Sequence, residues 1–302
     1  MNWYGVMPAV TTPFDDKLEV DHAFLARHTS WLLENGCSGL VMLGSLGEGA
    51  TLEHEEKIAI LKTAVKVSAG KTPVVAAISS LSTKGAMQLA KEAEDAGCDG
   101  LMVLPPYVYT SDWREMKAHV AAVIGATKLE CMLYNNPVAY KTDFLPEQIA
   151  ELAGEHANLA AVKESSADVR RIAAIREVLE ERLKIFVGVD DVLVEGVNAG
   201  ATGWIAGLVN AFPAESVELF ELARAGRHAE AFALYRWFLP LLRMDTVPKF
   251  VQLIKWVQGA TGTGTETVRG PRMVLEGAEL TAAQTVLKTA LATRLAVRSI
   301  PF

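Results

Sequence analysis

The sequence predicts an α/β fold: a closed (β/α)8 barrel with a C-terminal helical extension. Three observations predict it. Short apolar runs alternate with helical patterns eight times over residues 1–225. A strand that is apolar on both faces belongs in a parallel sheet covered by helices, because alternation would mark a face left in water. One phrase also repeats: Asn35-Gly-Cys-Ser-Gly-Leu-Val-Met-Leu43 is echoed by Ala96-Gly-Cys-Asp-Gly-Leu-Met-Val-Leu104, and more loosely by Ala199-Gly-Ala-Thr-Gly-Trp-Ile-Ala-Gly207. Each copy reads as a helix stopped by glycine, a tight turn and a buried strand. Finally, no Gly-x-Gly-x-x-Gly follows the first apolar run, which disfavours an open dinucleotide-binding sheet.

Taken in order, the predicted strands are Val6–Val10, Leu40–Leu43, Val74–Ile78, Leu101–Leu104, Glu130–Leu133, Leu159–Val162, Ile185–Val187 and Gly203–Ile205. Between them, apolar residues fall at helical spacing. In Glu53–Ser68, Ile58, Leu61 and Val65 share a face; Thr83–Ala96, Trp113–Ile124 and Ala167–Arg182 carry similar patterns. Residues 226–302 are expected to form a helical region packed on the barrel or on a neighbouring subunit. Its helices would be Ala229–Arg243, Val247–Gln258 and Thr281–Arg294, broken by the Gly/Thr-rich Gly259–Gly264 and by Gly270-Pro271.

Composition excludes several classes. Half of the 302 residues are hydrophobic, enough for a large core, and the net charge of −7 argues against a nucleic-acid or anionic-membrane surface. Cys37, Cys98 and Cys131 are sparse and unpaired in sequence, as expected of reduced thiols in the cytoplasm. The first residues carry no signal-peptide pattern, and no apolar run reaches the ~18 residues of a membrane span. The expectation is a soluble cytoplasmic protein.

In such a barrel the chemistry gathers where strands end. The sixth predicted strand runs into Lys163, followed by Glu164, Ser165 and Ser166. A lysine at the mouth of a buried strand is either a desolvated, nucleophilic amine or an ordinary side chain reaching for water. One strand earlier, Tyr134 ends the run before Asn135-Asn136-Pro137; it could shuttle protons to that amine or simply pack at the rim. Gly44-Ser45-Leu46-Gly47-Glu48 ends the second strand. It reads as a tight capped turn or as a cradle for a carboxylate, with its N–H groups and the Ser45 hydroxyl facing the ligand. Asp190 and Asp191 are better explained as caps of the helix Val192–Asn198 than as a metal or acid–base pair. The eighth end, Ile205–Asn210, is apolar and lacks a phosphate grip, which favours an unphosphorylated substrate. The six histidines are scattered; no metal site and no cofactor is expected.

Together these stretches resemble the dihydrodipicolinate synthase / N-acetylneuraminate lyase superfamily along essentially the whole chain. The matching segments are Pro8–Phe14, Gly44–Glu48, Leu104–Tyr107, Tyr134-Asn135-x-Pro137, Val162-Lys163-Glu164-Ser165 and Gly188–Asp191. The resemblance implies a (β/α)8 barrel assembled as a homotetramer of tight dimers, and class I chemistry. Lys163 would form a Schiff base with a 2-oxo acid, Tyr134 would relay protons, and Ser45 with the Leu46 backbone would hold the substrate carboxylate. Gly188 and Ile205 would line the lysine pocket. Two departures stand out: no arginine follows Tyr-Asn-x-Pro in Val138-Ala139-Tyr140-Lys141-Thr142, and Val108, beside Tyr109, stands where a second tyrosine is usual. Leu46 replaces a common threonine or serine. The combination most resembles the pyrroline-4-hydroxy-2-carboxylate deaminase branch; 2-keto-3-deoxy sugar acid aldolases or dehydratases, dihydrodipicolinate synthase itself and a non-catalytic ligand-binding barrel are the alternatives.

Overall fold

A computed structural model describes residues 1–106, 109 and 111–302. Its eight strands are β1 (Gly5–Pro8), β2 (Leu40–Met42), β3 (Val74–Ile78), β4 (Gly100–Val103), β5 (Glu130–Asn135), β6 (Leu159–Glu164), β7 (Lys184–Val187) and β8 (Gly203–Ala206). All pair in parallel, in the order β1-β8-β7-β6-β5-β4-β3-β2. The circle is completed between β1 and β2 by the bridge Ala9↔Val41, where the Val10 N–H donates to Val41 O at 2.9 Å. The barrel expectation is therefore met.

The covering helices are α1 (His22–Glu34), α2 (His54–Ser68), α3 (Thr83–Asp95), α4 (Trp113–Gly125), the short α5 (Pro137–Tyr140), α6 (Pro146–Glu155), α7 (Arg170–Leu179), α8 (Leu193–Asn198) and α9 (Pro213–Arg224). Side-chain oxygens satisfy the first amides of several: Asp21 accepts from Phe24 N, Ser82 from Gly85 N, and Asp112 with Glu115 forms a capping box. The repeated phrase has a backbone cause. Gly36, Gly97 and Gly200 all take positive φ, 93°, 90° and 108°, where a side chain would be strained.

Beyond α9 come α10 (His228–Leu242), a single turn Arg243–Asp245, α11 (Phe250–Thr261) and α12 (Gly277–Ala292). Boundaries moved where local turns outcompeted periodicity. Ala167 takes φ 63° and Asp168 accepts from Arg170 N, so the helix predicted from Ala167 begins at Arg170. Gly259 stays helical, and α11 stops at Gly262, which caps it with φ 76°. Among the described residues, no helix is long and apolar enough to cross a membrane.

Candidate active site

The longer observed β5 and β6 bring the two chemical candidates together. Tyr134 and Lys163 are register partners on adjacent strands, as are Asn135 and Glu164. Alternation along a strand sends the two pairs to opposite faces of the sheet. Asn135 and Glu164 bond to each other at 3.0 Å, and Asn135 Oδ1 accepts from Phe144 N, so this asparagine anchors the loop after β5. On the other face the Lys163 ammonium lies 4.3 Å from the centroid of the Tyr134 ring.

Lys163 is only 7% exposed. Burial lowers its pKa to about 8, and the carboxylates of Asp245 and Asp190 limit the fall. Its room depends on Gly188: a β-carbon there would lie 1.9 Å from Ser165 Oγ and 2.8 Å from Lys163 Cε. Tyr134 is buried, which raises its pKa; its hydroxyl accepts from Asn136 Nδ2 at 2.9 Å, and that contact with nearby Ser165 and Tyr140 favours the phenolate. Asn136 also caps α5 by accepting from Ala139 N. That short helix delivers Tyr140, whose ring meets Tyr134 edge-on at 5.7 Å and whose hydroxyl bonds to Ser45 Oγ. A hydroxyl path thus runs from Ser45 through Tyr140 toward Tyr134.

The Gly44–Glu48 loop is a tight turn. Leu43 and Glu48 adopt positive φ, and a β-carbon on Gly49 would lie 2.1 Å from Leu43 O. Among the described residues the Ser45 and Leu46 N–H groups donate to no acceptor, and unpaired N–H groups of a turn are chemically suited to an anion. Leu46 itself is buried. Glu48 is turned to the C-terminal region: fully buried, it accepts from Lys255 Nζ at 2.8 Å and from Arg269 N at 3.0 Å. Ile205 is buried on β8, in register with Met7.

Asp190 and Asp191 correct a sequence expectation, for neither caps α8. The cap position is Val192, with no side-chain bond. Asp190 is buried and accepts from Trp204 Nε1 at 3.0 Å, Gly207 N at 3.1 Å and Leu208 N at 3.0 Å. It ties the β7 end to the β8 end, and burial raises its pKa to about 6 despite those donors. Asp191 faces Arg243 at 3.6 Å.

Sequence reasoning missed Asp245. It sits on the turn between α10 and α11, far along the chain, and fills the space over the supposedly apolar β8 end. A β-carbon on Gly207 would lie 2.0 Å from its Oδ1. Of the departures from the superfamily pattern, Val108 lies outside the described residues and Tyr109 is exposed. Lys141, the nearest cation in sequence to the missing arginine, donates to Val138 O on the surface.

Fold and site define a class, a (β/α)8 barrel with a buried lysine at the C-terminal end of its sixth strand. The chain matches the Dihydrodipicolinate synthetase family over residues 2–290 and belongs to it. It is 33% identical over 288 residues to a 4-hydroxy-tetrahydrodipicolinate synthase of Agrobacterium fabrum, covering 95% of this chain and 98% of that protein. A synthase of the same name from Natronomonas pharaonis is 35% identical over 228 residues, 75% of this chain and 77% of the relative. Among solved structures, the 4-hydroxy-tetrahydrodipicolinate synthase of Methylacidiphilum fumariolicum SolV superposes with a TM-score of 0.93 at 26% identity, covering 96% and 97% of the two chains. The chloride-inhibited dihydrodipicolinate synthase of Acinetobacter baumannii, complexed with pyruvate, gives 0.90 at 27% identity over 96% and 99%. The family is one of class I Schiff-base lyases.

Proposed function

We propose that Lys163 forms a Schiff base with a small, unphosphorylated 2-oxo acid or its cyclic imine, and that the substrate is 1-pyrroline-4-hydroxy-2-carboxylate. The observation that carries the amine chemistry is the buried Lys163, its pKa lowered to about 8, with the Tyr134 ring against it. In this reading the substrate carboxylate lies on the Ser45 and Leu46 N–H groups and the Ser45 hydroxyl, and Gly188 and Ile205 line the pocket. The amine attacks C2, and the 4-hydroxyl leaves from the resulting enamine while Tyr134 moves protons. Hydrolysis then releases ammonia and 2,5-dioxopentanoate. No metal or cofactor enters this scheme.

The choice of substrate rests on the loop after β5. Synthesis of a dihydrodipicolinate-type product needs a cation for the carboxylate of a second, aldehyde substrate. Here Val138 is exposed and Lys141 is turned to the surface. A one-substrate deamination needs no such partner. The names of the relatives favour a second reading, 4-hydroxy-tetrahydrodipicolinate synthase. A keto-deoxy sugar acid aldolase or dehydratase would use the same amine.

The test is a substrate panel in which ammonia and pyruvate are followed separately, with borohydride trapping at Lys163. Ammonia release without pyruvate, together with a trapped adduct, supports the deaminase. Pyruvate release alone means an aldolase, and pyruvate consumption with an aldehyde means the synthase. Ligand binding that survives Lys163→Ala, without turnover, would leave a non-catalytic barrel. A homotetramer in the cytoplasm is part of the same proposal; the strongly exposed Leu81 (75%) and Tyr109 (53%) are apolar surface that subunit contacts would cover.

A further inference from the structure

Tyr140 stands on α5, and the scheme above gives it no task. α5 follows β5, whereas Ser45 follows β2, and in the sheet β4 and β3 lie between those two strands. The Tyr140 hydroxyl nevertheless bonds to Ser45 Oγ. This link does not run around the outside of the rim. The Tyr140 ring meets the Tyr134 ring edge-on, with centroids 5.7 Å apart, and Tyr134 is the residue against which the Lys163 ammonium lies. The side chain therefore crosses the barrel mouth on the lysine side of β5 and ends on the loop after β2.

α5 holds this crossing in place. Pro137 opens the helix with its φ already set, Asn136 accepts from Ala139 N at 3.0 Å, and Lys141 N closes the turn on Pro137 O at 3.1 Å. Asn136 also donates to the Tyr134 hydroxyl at 2.9 Å, so one residue fixes both tyrosines. Of residues 138–141 only Tyr140 turns inward: it is half-buried, whereas Val138, Ala139 and Lys141 are exposed.

The bond to Ser45 also has a direction once an acid is bound. A serine hydroxyl carries one proton, and a carboxylate oxygen only accepts. With a substrate carboxylate on the loop, the Ser45 proton goes to that carboxylate and Tyr140 donates to Ser45 Oγ.

We propose that Tyr140 is a specificity-determining residue: it bars the mouth between β5 and the β2 loop against a second carbonyl substrate, and it aims the Ser45 proton at the carboxylate of the first. The proposal rests on the Schiff-base reading above and gives its one-substrate character a physical cause. With the bar removed, an enamine made from pyruvate on Lys163 can meet an aldehyde. Its C3 forms a C–C bond to the aldehyde carbon, the nitrogen lone pair becomes C=N⁺, and the aldehyde π electrons pass to oxygen, which takes a proton from water. The hydroxide so formed adds to C2. Collapse of that carbinolamine releases a 4-hydroxy-2-oxo acid and restores the Lys163 amine.

The test supplies pyruvate with propanal, an aldehyde without a carboxylate, so that the lack of a cation on the loop after β5 plays no part. Enamine formation is read separately, by NMR, from deuterium entering the pyruvate methyl group in D2O. Wild-type protein is expected to incorporate deuterium and to condense the pair at least about tenfold more slowly than Tyr140→Ala, whose exchange at saturating pyruvate stays within about threefold of wild type. A gained reaction is not something structural damage produces. Tyr140→Val, too short to reach Ser45, takes the place of the alanine variant should that not fold. Tyr140→Phe keeps the bulk and loses the donor. It is expected to stay closed to propanal, while the KM of pyruvate for exchange rises about tenfold with kcat little changed, the mark of lost binding rather than lost chemistry. Wild-type protein that condenses as fast as Tyr140→Ala overturns the proposal. So does Tyr140→Ala that exchanges deuterium yet makes no product, or Tyr140→Phe with the wild-type KM. Wild-type protein in which borohydride traps neither pyruvate nor 1-pyrroline-4-hydroxy-2-carboxylate sinks the Schiff-base reading instead. If the imine alone is trapped, Tyr140→Phe is compared by half-saturation of that adduct: the same tenfold rise is expected, and an unchanged value overturns the proposal.

Discussion

A single methyl group at residue 188 decides whether Lys163 can occupy its place. The β-carbon of Gly188→Ala would overlap Ser165 Oγ and press on Lys163 Cγ and Cε, at 2.9 and 2.8 Å. The expected outcome is a folded protein, with the circular dichroism of the wild type, whose adduct formation has fallen at least 100-fold, since small misplacements of reacting groups carry such penalties. Tyr134→Phe removes the hydroxyl and keeps the ring beside the amine. Turnover should drop by about 10²–10⁴ while borohydride still traps some adduct; wild-type turnover would remove Tyr134 from the relay. Lys163 also sets a pH dependence. Its pKa is lowered to about 8, so below that value the reactive neutral amine grows with pH. Initial rates of adduct formation should rise about tenfold per pH unit up to that point and then level off. Sequence alone made Lys163, Tyr134 and Ser45 visible because each ends an apolar run, and in a parallel barrel a strand end is a place as well as a position. Asp245 and Ser165 were less visible: one stands in a polar turn between helices, the other two residues beyond the lysine, past the end of the apolar run.

At the level of elements, the C-terminal helices fasten the second-strand loop. Lys255 on α11 donates to Glu48 Oε1 and to Thr12 O, both at 2.8 Å, and sits 4.4 Å from the centre of the Phe14 ring. Arg269 covers the same ring at 4.4 Å and reaches Glu56 at the start of α2. Lys255→Met leaves Glu48 buried without its principal partner, and urea unfolding should report a loss of about 3 kcal/mol. Pairing it with Glu48→Gln should recover much of that loss, because the uncompensated charge goes as well; equal losses in the single and double variants would contradict this account. The strands and most helices were legible in the sequence because burial on both faces and helical spacing are local signals. The Glu48–Lys255 pair was not. Its members lie 207 residues apart, and periodicity says nothing about which helix face meets which loop.

For the whole molecule, the proposed assembly predicts a sedimentation mass of about four 32.6 kDa chains; a monomer at micromolar concentration would refute it. The barrel itself is not uniformly stitched. β5 and β6 share pairs from Cys131↔Leu159 to Asn135↔Glu164, whereas among the described residues β1 and β2 are joined by the bridge Ala9↔Val41 and by Ser38 N, just before β2, donating to Val6 O at 2.8 Å. Amides on either side of that seam should therefore exchange with deuterium sooner than those of β5 and β6. Two residues past the seam's Val10, the Thr12 hydroxyl donates to Gly47 O at 2.7 Å, tying this join to the loop proposed to grip the substrate carboxylate. A ligand anchored on that loop acts as a clasp across the join. Bound substrate should slow exchange at Val10 and Val41 more than at any residue of the lysine strand, so that the barrel is tightest at its weakest joint only while it is occupied.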